Sequence, residues 1–144
     1  RFQIVRVKPH KFFGSHAYRA GESRVAVTDR EKTIVDCLDR PDLSGGVDQV
    51  ADALLLGDGD LDWDRATRYL RRFGAGSVVK RLGFLVEYLK MTHPPEPRML
   101  DEWLGLLTAG ISKLDPSTPR EPHRIATRWR VAVNLPEEGL RRWA

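Results

Sequence analysis

The chain has 144 residues and a mass of 16.4 kDa, enough for one domain with a sizeable core and too little for two independent ones. With 41% hydrophobic and 31% charged residues, and no apolar run near the roughly 18 residues a membrane span needs, it is neither a disordered tail nor a fibrous or transmembrane protein. Charge is unevenly placed: residues 1–28 carry six cations and one anion (+5), 29–64 three and eleven (−8), and 65–144 fifteen and eight (+7), for a total of +4.

The opening of the chain reads as strands. Phe2, Ile4, Val5 and Val7, then Phe12-Phe13, Ala17-Tyr18 and Arg24 to Val27, are short apolar or alternating runs separated by turn residues at Lys8-Pro9-His10 and Ala20-Gly21-Glu22-Ser23. At Thr28 the period changes. Thr28-Asp29-Arg30-Glu31 has the spacing of a capping box, and Ile34, Val35 and Leu38 recur at helical intervals, which predicts a first helix over 29–40, stopped by Pro41. After a Gly45-Gly46 loop, Val47, Val50, Ala51, Leu54 and Leu55 form the stripe of a second helix.

Asp62 is the expected N-cap of a third helix, with Trp63, Ala66, Leu70 and Phe73 on one side and Arg65, Arg68 and Arg72 on the other. Gly74-Ala75-Gly76 breaks the chain. Ser77 is then the expected cap of a fourth helix, with Val78, Val79, Leu82, Leu85, Val86 and Leu89 inward and Lys80, Arg81, Phe84, Tyr88 and Met91 on the opposite arc. Leu100, Trp103, Leu104 and Leu107 define a fifth helix ending near Gly110. Trp129 to Val133 has β character and stops at Pro136, before a short terminal segment over 138–144. The expected fold is α+β: N-terminal strands, about five central helices and a C-terminal strand returning to the opening sheet.

Motifs with catalytic or metal-binding potential fail on detail. Asp58, Asp60, Asp62 and Asp64 alternate as in a calcium loop, yet the turning glycine is Trp63 and the bidentate glutamate is Tyr69. Gly74 to Arg81 resembles a phosphate loop with valine and arginine at two defining positions, and it follows a helix where a strand is required. Cys37 lies mid-helix, no Gly-x-Ser-x-Gly elbow exists, and His10, His16, His93 and His123 are dispersed. No catalytic residue, metal site or cofactor is therefore expected. A lone cysteine points to a reducing cytoplasm, and a start at Arg1 where Met would stand suggests part of a longer polypeptide.

Interaction chemistry remains. Arg65, Arg68 and Arg72 at i, i+3 and i+7 make a basic ridge, and Lys80 and Arg81 extend the cationic set toward Phe84 and Tyr88. These five cations are the expected contacts to an acidic protein face or to nucleic-acid phosphate. A basic nucleic-acid-binding accessory domain, and a small nuclease-like enzyme using Asp58, Asp60 and Asp62 around a divalent ion, are the competing readings.

Three stretches carry a family pattern: Val25-Ala26-Val27-Thr28-Asp29-Arg30-Glu31-Lys32-Thr33-Ile34-Val35-Asp36-Cys37-Leu38 with Arg40-Pro41 and Gly45-Gly46; Arg81-Leu82-Gly83-Phe84-Leu85; and Arg128-Trp129-Arg130-Val131-Ala132-Val133-Asn134. Together they resemble the C-terminal domain of AbiEi-type antitoxins of bacterial abortive-infection and type IV toxin-antitoxin systems, which are also transcriptional regulators. The resemblance spans most of residues 1–144 and implies a single domain that counters a cognate nucleotidyltransferase toxin. In that family, operator DNA is bound by an N-terminal winged helix-turn-helix, which this sequence lacks.

Overall fold

The computed structural model describes residues 2–141; Arg1 and the end of the expected terminal segment, 142–144, lie outside the described residues. Residues 2–8 have no regular structure, and Phe2 and Ile4 are 99% exposed where alternation predicts a strand. An alternating segment becomes a strand only when a neighbour pairs with it and a layer covers its apolar side chains, and the described residues supply neither. A 3-10 turn at Pro9–Lys11 leads into the antiparallel hairpin of β1 (Ser15–Ala20) and β2 (Ser23–Thr28). Gly21 supplies the positive φ, 63°, at the first position of its two-residue turn.

The helices follow in the order expected: α1 (Arg30–Asp39), α2 (Val47–Leu56), α3 (Trp63–Phe73), α4 (Gly76–Tyr88) and α5 (Pro97–Gly105). Asp62 caps α3, its carboxylate accepting from the Arg65 amide at 3.0 Å. Two caps differ from expectation. The cap of α1 is Asp29, which accepts from the Lys32 amide at 2.8 Å, while the Glu31 carboxylate turns away to accept from the Asp62 amide at 3.0 Å. Helix α4 begins at Gly76 with Ala75 as its cap, so Ser77 lies inside the first turn.

Past α5 the chain builds a second small sheet from β3 (Ser112–Lys113), β4 (Arg124–Ala126) and β5 (Val131–Val133), then a short α6 (Glu137–Leu140). The strand order is β3-β5-β4, with β5 parallel to β3 and antiparallel to β4. The α+β class holds, but the closing strand does not return to the opening sheet. Its side chains are buried throughout, and it pairs where it lies on α4, whereas the hairpin is almost entirely exposed.

Helix α4 forms the centre. Nine consecutive residues, Val78 to Val86, are buried, so the helix is enclosed on every side. Helices α1 and α5 pack against it, and the Trp129 ring closes over Gly83. A Cβ added at Gly83 would stand 2.2 Å from Trp129 Cε3. Trp129 is 2% exposed and its Nε1 donates to Glu87 at 2.9 Å, so the ring has nowhere to retreat. Gly83→Ala is accordingly expected to lower stability by about 3 kcal/mol or more in chemical denaturation. Gly105→Ala, where nothing lies within 4 Å of the added atom, should change it by less than about 1 kcal/mol.

Candidate interaction surface

Helix α3 is sharply two-sided. Ala66, Thr67, Leu70 and Phe73 are buried, and Thr67 Oγ1 accepts from Trp103 Nε1 at 2.9 Å, fixing the helix against α5. The helical period puts Arg65, Arg68 and Arg72 along the outer side. Arg65 is half-buried with Nη1 3.9 Å from the Glu31 carboxylate, a distance at the limit of an ion pair. Arg68 is exposed and makes no hydrogen bond or ion pair with the described residues. Arg72 is exposed, with its guanidinium 4.4 Å over the Phe13 ring. Phe13 itself packs edge-on against Tyr69 and Phe73, so this aromatic cluster ties the base of the β1–β2 hairpin to α3.

Lys80 and Arg81 are not on this surface. They are 2% and 6% exposed, and the expectation that they contact a partner is corrected by what covers them. Segment 109–113 runs across α4 and presents carbonyls: Lys80 Nζ donates to Gly110 O at 3.0 Å, and Arg81 Nε donates to Lys113 O at 3.0 Å while its Nη1 donates to Leu38 O at 2.8 Å. Burial lowers the pKa of both groups from their ordinary values. The helical period of α4 alone gives no sign of this enclosure, because its covering segment lies some thirty residues further along the chain.

Aromatic and cationic side chains do meet, but with different arginines. Phe84 and Tyr88 stack at 5.6 Å and form one wall of an open cleft of about 380 Å³, whose other wall is the run from Arg124 to Trp129. Arg128 pairs with Glu87 at 2.9 Å, and Arg124 is held by Glu137. Arg124 and Arg128 escape sequence reasoning because a separation of about forty residues joins the two walls, and their only local signal is one arginine opening a three-residue strand and another two residues past its end. The hydrogen bond from Arg124 holds the Glu137 carboxyl down at about 2, with a further contribution from His123 Nε2 at 2.8 Å.

The acidic loop is dispersed into separate tasks. Asp58 accepts from the backbone amides of Thr92 and His93 at 2.7 and 2.8 Å, Asp62 caps α3, and Asp64 lies 3.8 Å from Arg98. Among the described residues no group of three His, Cys, Asp or Glu side chains is placed to hold a metal ion, and no helix is long and apolar enough to cross a membrane. The Gly74 to Arg81 stretch is the short α3–α4 connection, with Gly74 at φ 71° ending α3, followed by the opening turns of α4.

Arg81→Met should cost about 2–4 kcal/mol in denaturation experiments, because the buried Leu38 carbonyl and the partly buried Lys113 carbonyl lose their donor. The Glu137 carboxyl titrates at about 2 in the fold against an ordinary 4.5, so its stabilisation is complete above about pH 4.5 and is lost as the pH falls through 2. The melting-temperature difference between the native chain and Glu137→Gln should therefore be constant near neutrality and shrink across that acid window. Comparison of the chain with known protein families, with curated proteins and with solved structures finds no match.

Proposed function

We propose that this chain is a noncatalytic domain of an antitoxin-regulator, one that counters a cognate nucleotidyltransferase toxin, supports autoregulation of its operon and acts by binding, in the cytoplasm. The sequence resemblance is what supports this family reading. Its quoted stretches are also residues that meet in space, since Gly83 lies under Trp129 and Arg81 reaches the carbonyl of Leu38. The observation that carries a binding role is the outer side of α3, where three arginines line up and Arg68 has no partner among the described residues. Guanidinium groups so placed suit carboxylate or phosphate, which they engage through two parallel hydrogen bonds. The partner-facing set is accordingly Arg65, Arg68 and Arg72.

A second reading, a basic nucleic-acid-binding accessory domain with no antitoxin role, uses the same arginines. It is favoured by the continuity of α3 with the cation-rich opening of the chain through Phe13 and Arg72. It differs from the first in leaving toxin activity untouched.

Coexpression with the nucleotidyltransferase toxin that the first reading requires separates the two. The native chain should restore growth and the triple variant R65E/R68E/R72E should not, while still unfolding cooperatively above the growth temperature. The single variant R68E, whose native side chain has no partner among the described residues, should weaken protection while keeping the native melting temperature. Full protection by the triple variant would remove the α3 arginines from the contact, and absence of protection by the native chain would set aside the antitoxin reading.

A further inference from the structure

The β1–β2 hairpin has no part in the α3 contact, and its construction points elsewhere. All six residues of β1 and five of β2 are exposed, with only Thr28 half-buried, so the ribbon projects from the body of the protein. It is held at its base alone. The Asp29 amide donates to Gly14 O at 2.8 Å, Phe13 is clamped among Tyr69, Phe73 and the Lys32 ammonium, and Gly14 at φ 78° crosses so close to Lys32 that an added Cβ would lie 2.9 Å from that side chain.

The register sorts its side chains onto two faces. On one, His16 lies opposite Val27 and Tyr18 opposite Val25, cross-strand pairs of the kind that hold a two-stranded ribbon together. The other face pairs Ser15 with Thr28, Ala17 with Ala26 and Arg19 with Arg24. Two arginines directly opposite each other repel, which weakens a hairpin that gains nothing from the core. Arg19 Nε is held by Gly21 O at 3.2 Å, and Arg24 makes no hydrogen bond or ion pair with the described residues. In sequence the opening of the chain also carries Arg6 and Lys8, with Glu22 as the single acid before Asp29, while Lys11 is paired with Asp39. A polyanion is the partner that turns this repulsion into attraction. The shape narrows the class: a two-stranded antiparallel ribbon fits the major groove of B-form DNA, about 12 Å wide, and the alanine, serine and threonine beside the arginines let a groove wall come close.

We propose that the β1–β2 hairpin is a DNA-binding ribbon that enters the major groove of a B-form duplex, with Arg19 and Arg24 on its phosphates or guanine edges. The A-form major groove is too deep and narrow to admit it, so duplex RNA is not its partner. This inference is independent of the antitoxin reading, because it assigns a different ligand to a different element.

Fluorescence anisotropy on the 144-residue chain tests it, using a labelled mixed-sequence DNA duplex of about two helical turns, the RNA duplex of the same sequence, and unlabelled polyglutamate as competitor across a salt series. The native chain should bind DNA more tightly than RNA. R19A/R24A should weaken DNA binding by about tenfold or more and lower the slope of log affinity against log salt by about 2. Its unfolding midpoint should hold or rise slightly, since a like-charge pair is relieved. Arg120→Ala, an exposed arginine in the loop before β4, should bind as the native chain does. Equal affinity and slope for R19A/R24A, no DNA binding by the native chain, RNA bound as well as DNA, or polyglutamate competing as well as unlabelled duplex would each overturn the proposal.

Discussion

Enclosing α4 on all sides is the constraint to which the other elements answer. A helix buried through nine consecutive residues ordinarily carries only apolar side chains, and this one carries Lys80 and Arg81. Both are accommodated by giving their donors to backbone carbonyls that lack other partners. The Leu38 carbonyl belongs to the last turn of α1, where helix carbonyls run out of amides and the dipole is negative, so Arg81 completes that helix end electrostatically as well as by hydrogen bonding. The start of α2 mirrors the arrangement: Gly46 has no side chain to offer, and the Val47 amide donates to the carboxylate of Asp115 at 2.9 Å. Buried ions here finish helix ends that their own sequences leave open.

The same logic explains where the acidic block goes. Asp29 and Asp62 are caps, Asp36 pairs with Lys32, Asp39 with Lys11, Asp42 with Arg40, and Asp58 gathers two amides. These carboxylates are committed within the fold. They leave the outer arginines of α3 and of the hairpin largely uncompensated, and that imbalance gives the surface its affinity for negative partners.

Elements governed by local periodicity were legible in the sequence. The stripes of α1 to α4, the Asp62 cap and a turn within Ala20 to Ser23 follow from neighbours a few positions apart, as does the line of Arg65, Arg68 and Arg72. What escaped depends on distant segments. The two-residue β3 and three-residue β4 are too short to show a period, and they exist because β5 lies between them. The burial of Lys80 and Arg81, and the cleft that joins Tyr88 to Arg124 and Arg128, arise from the chain folding back across α4. The alternating opening, Phe2 to Val7, carried a strand's pattern without a neighbour to pair with, and pattern alone does not make a sheet.

The carboxylate of Asp115 has a consequence for the order of assembly. It lies 68 residues beyond the amide it caps, and its own backbone is locked reciprocally to Asn134, whose side chain donates to Asp115 O at 2.8 Å and accepts from its amide at 2.9 Å. During synthesis the first turn of α2 leaves the ribosome before Asp115 does, so its Val47 amide has no carboxylate to cap it until that residue follows. A chain that stops before Asn134 therefore lacks the lock that steadies this cap, and the start of an early helix waits on residues translated long after it.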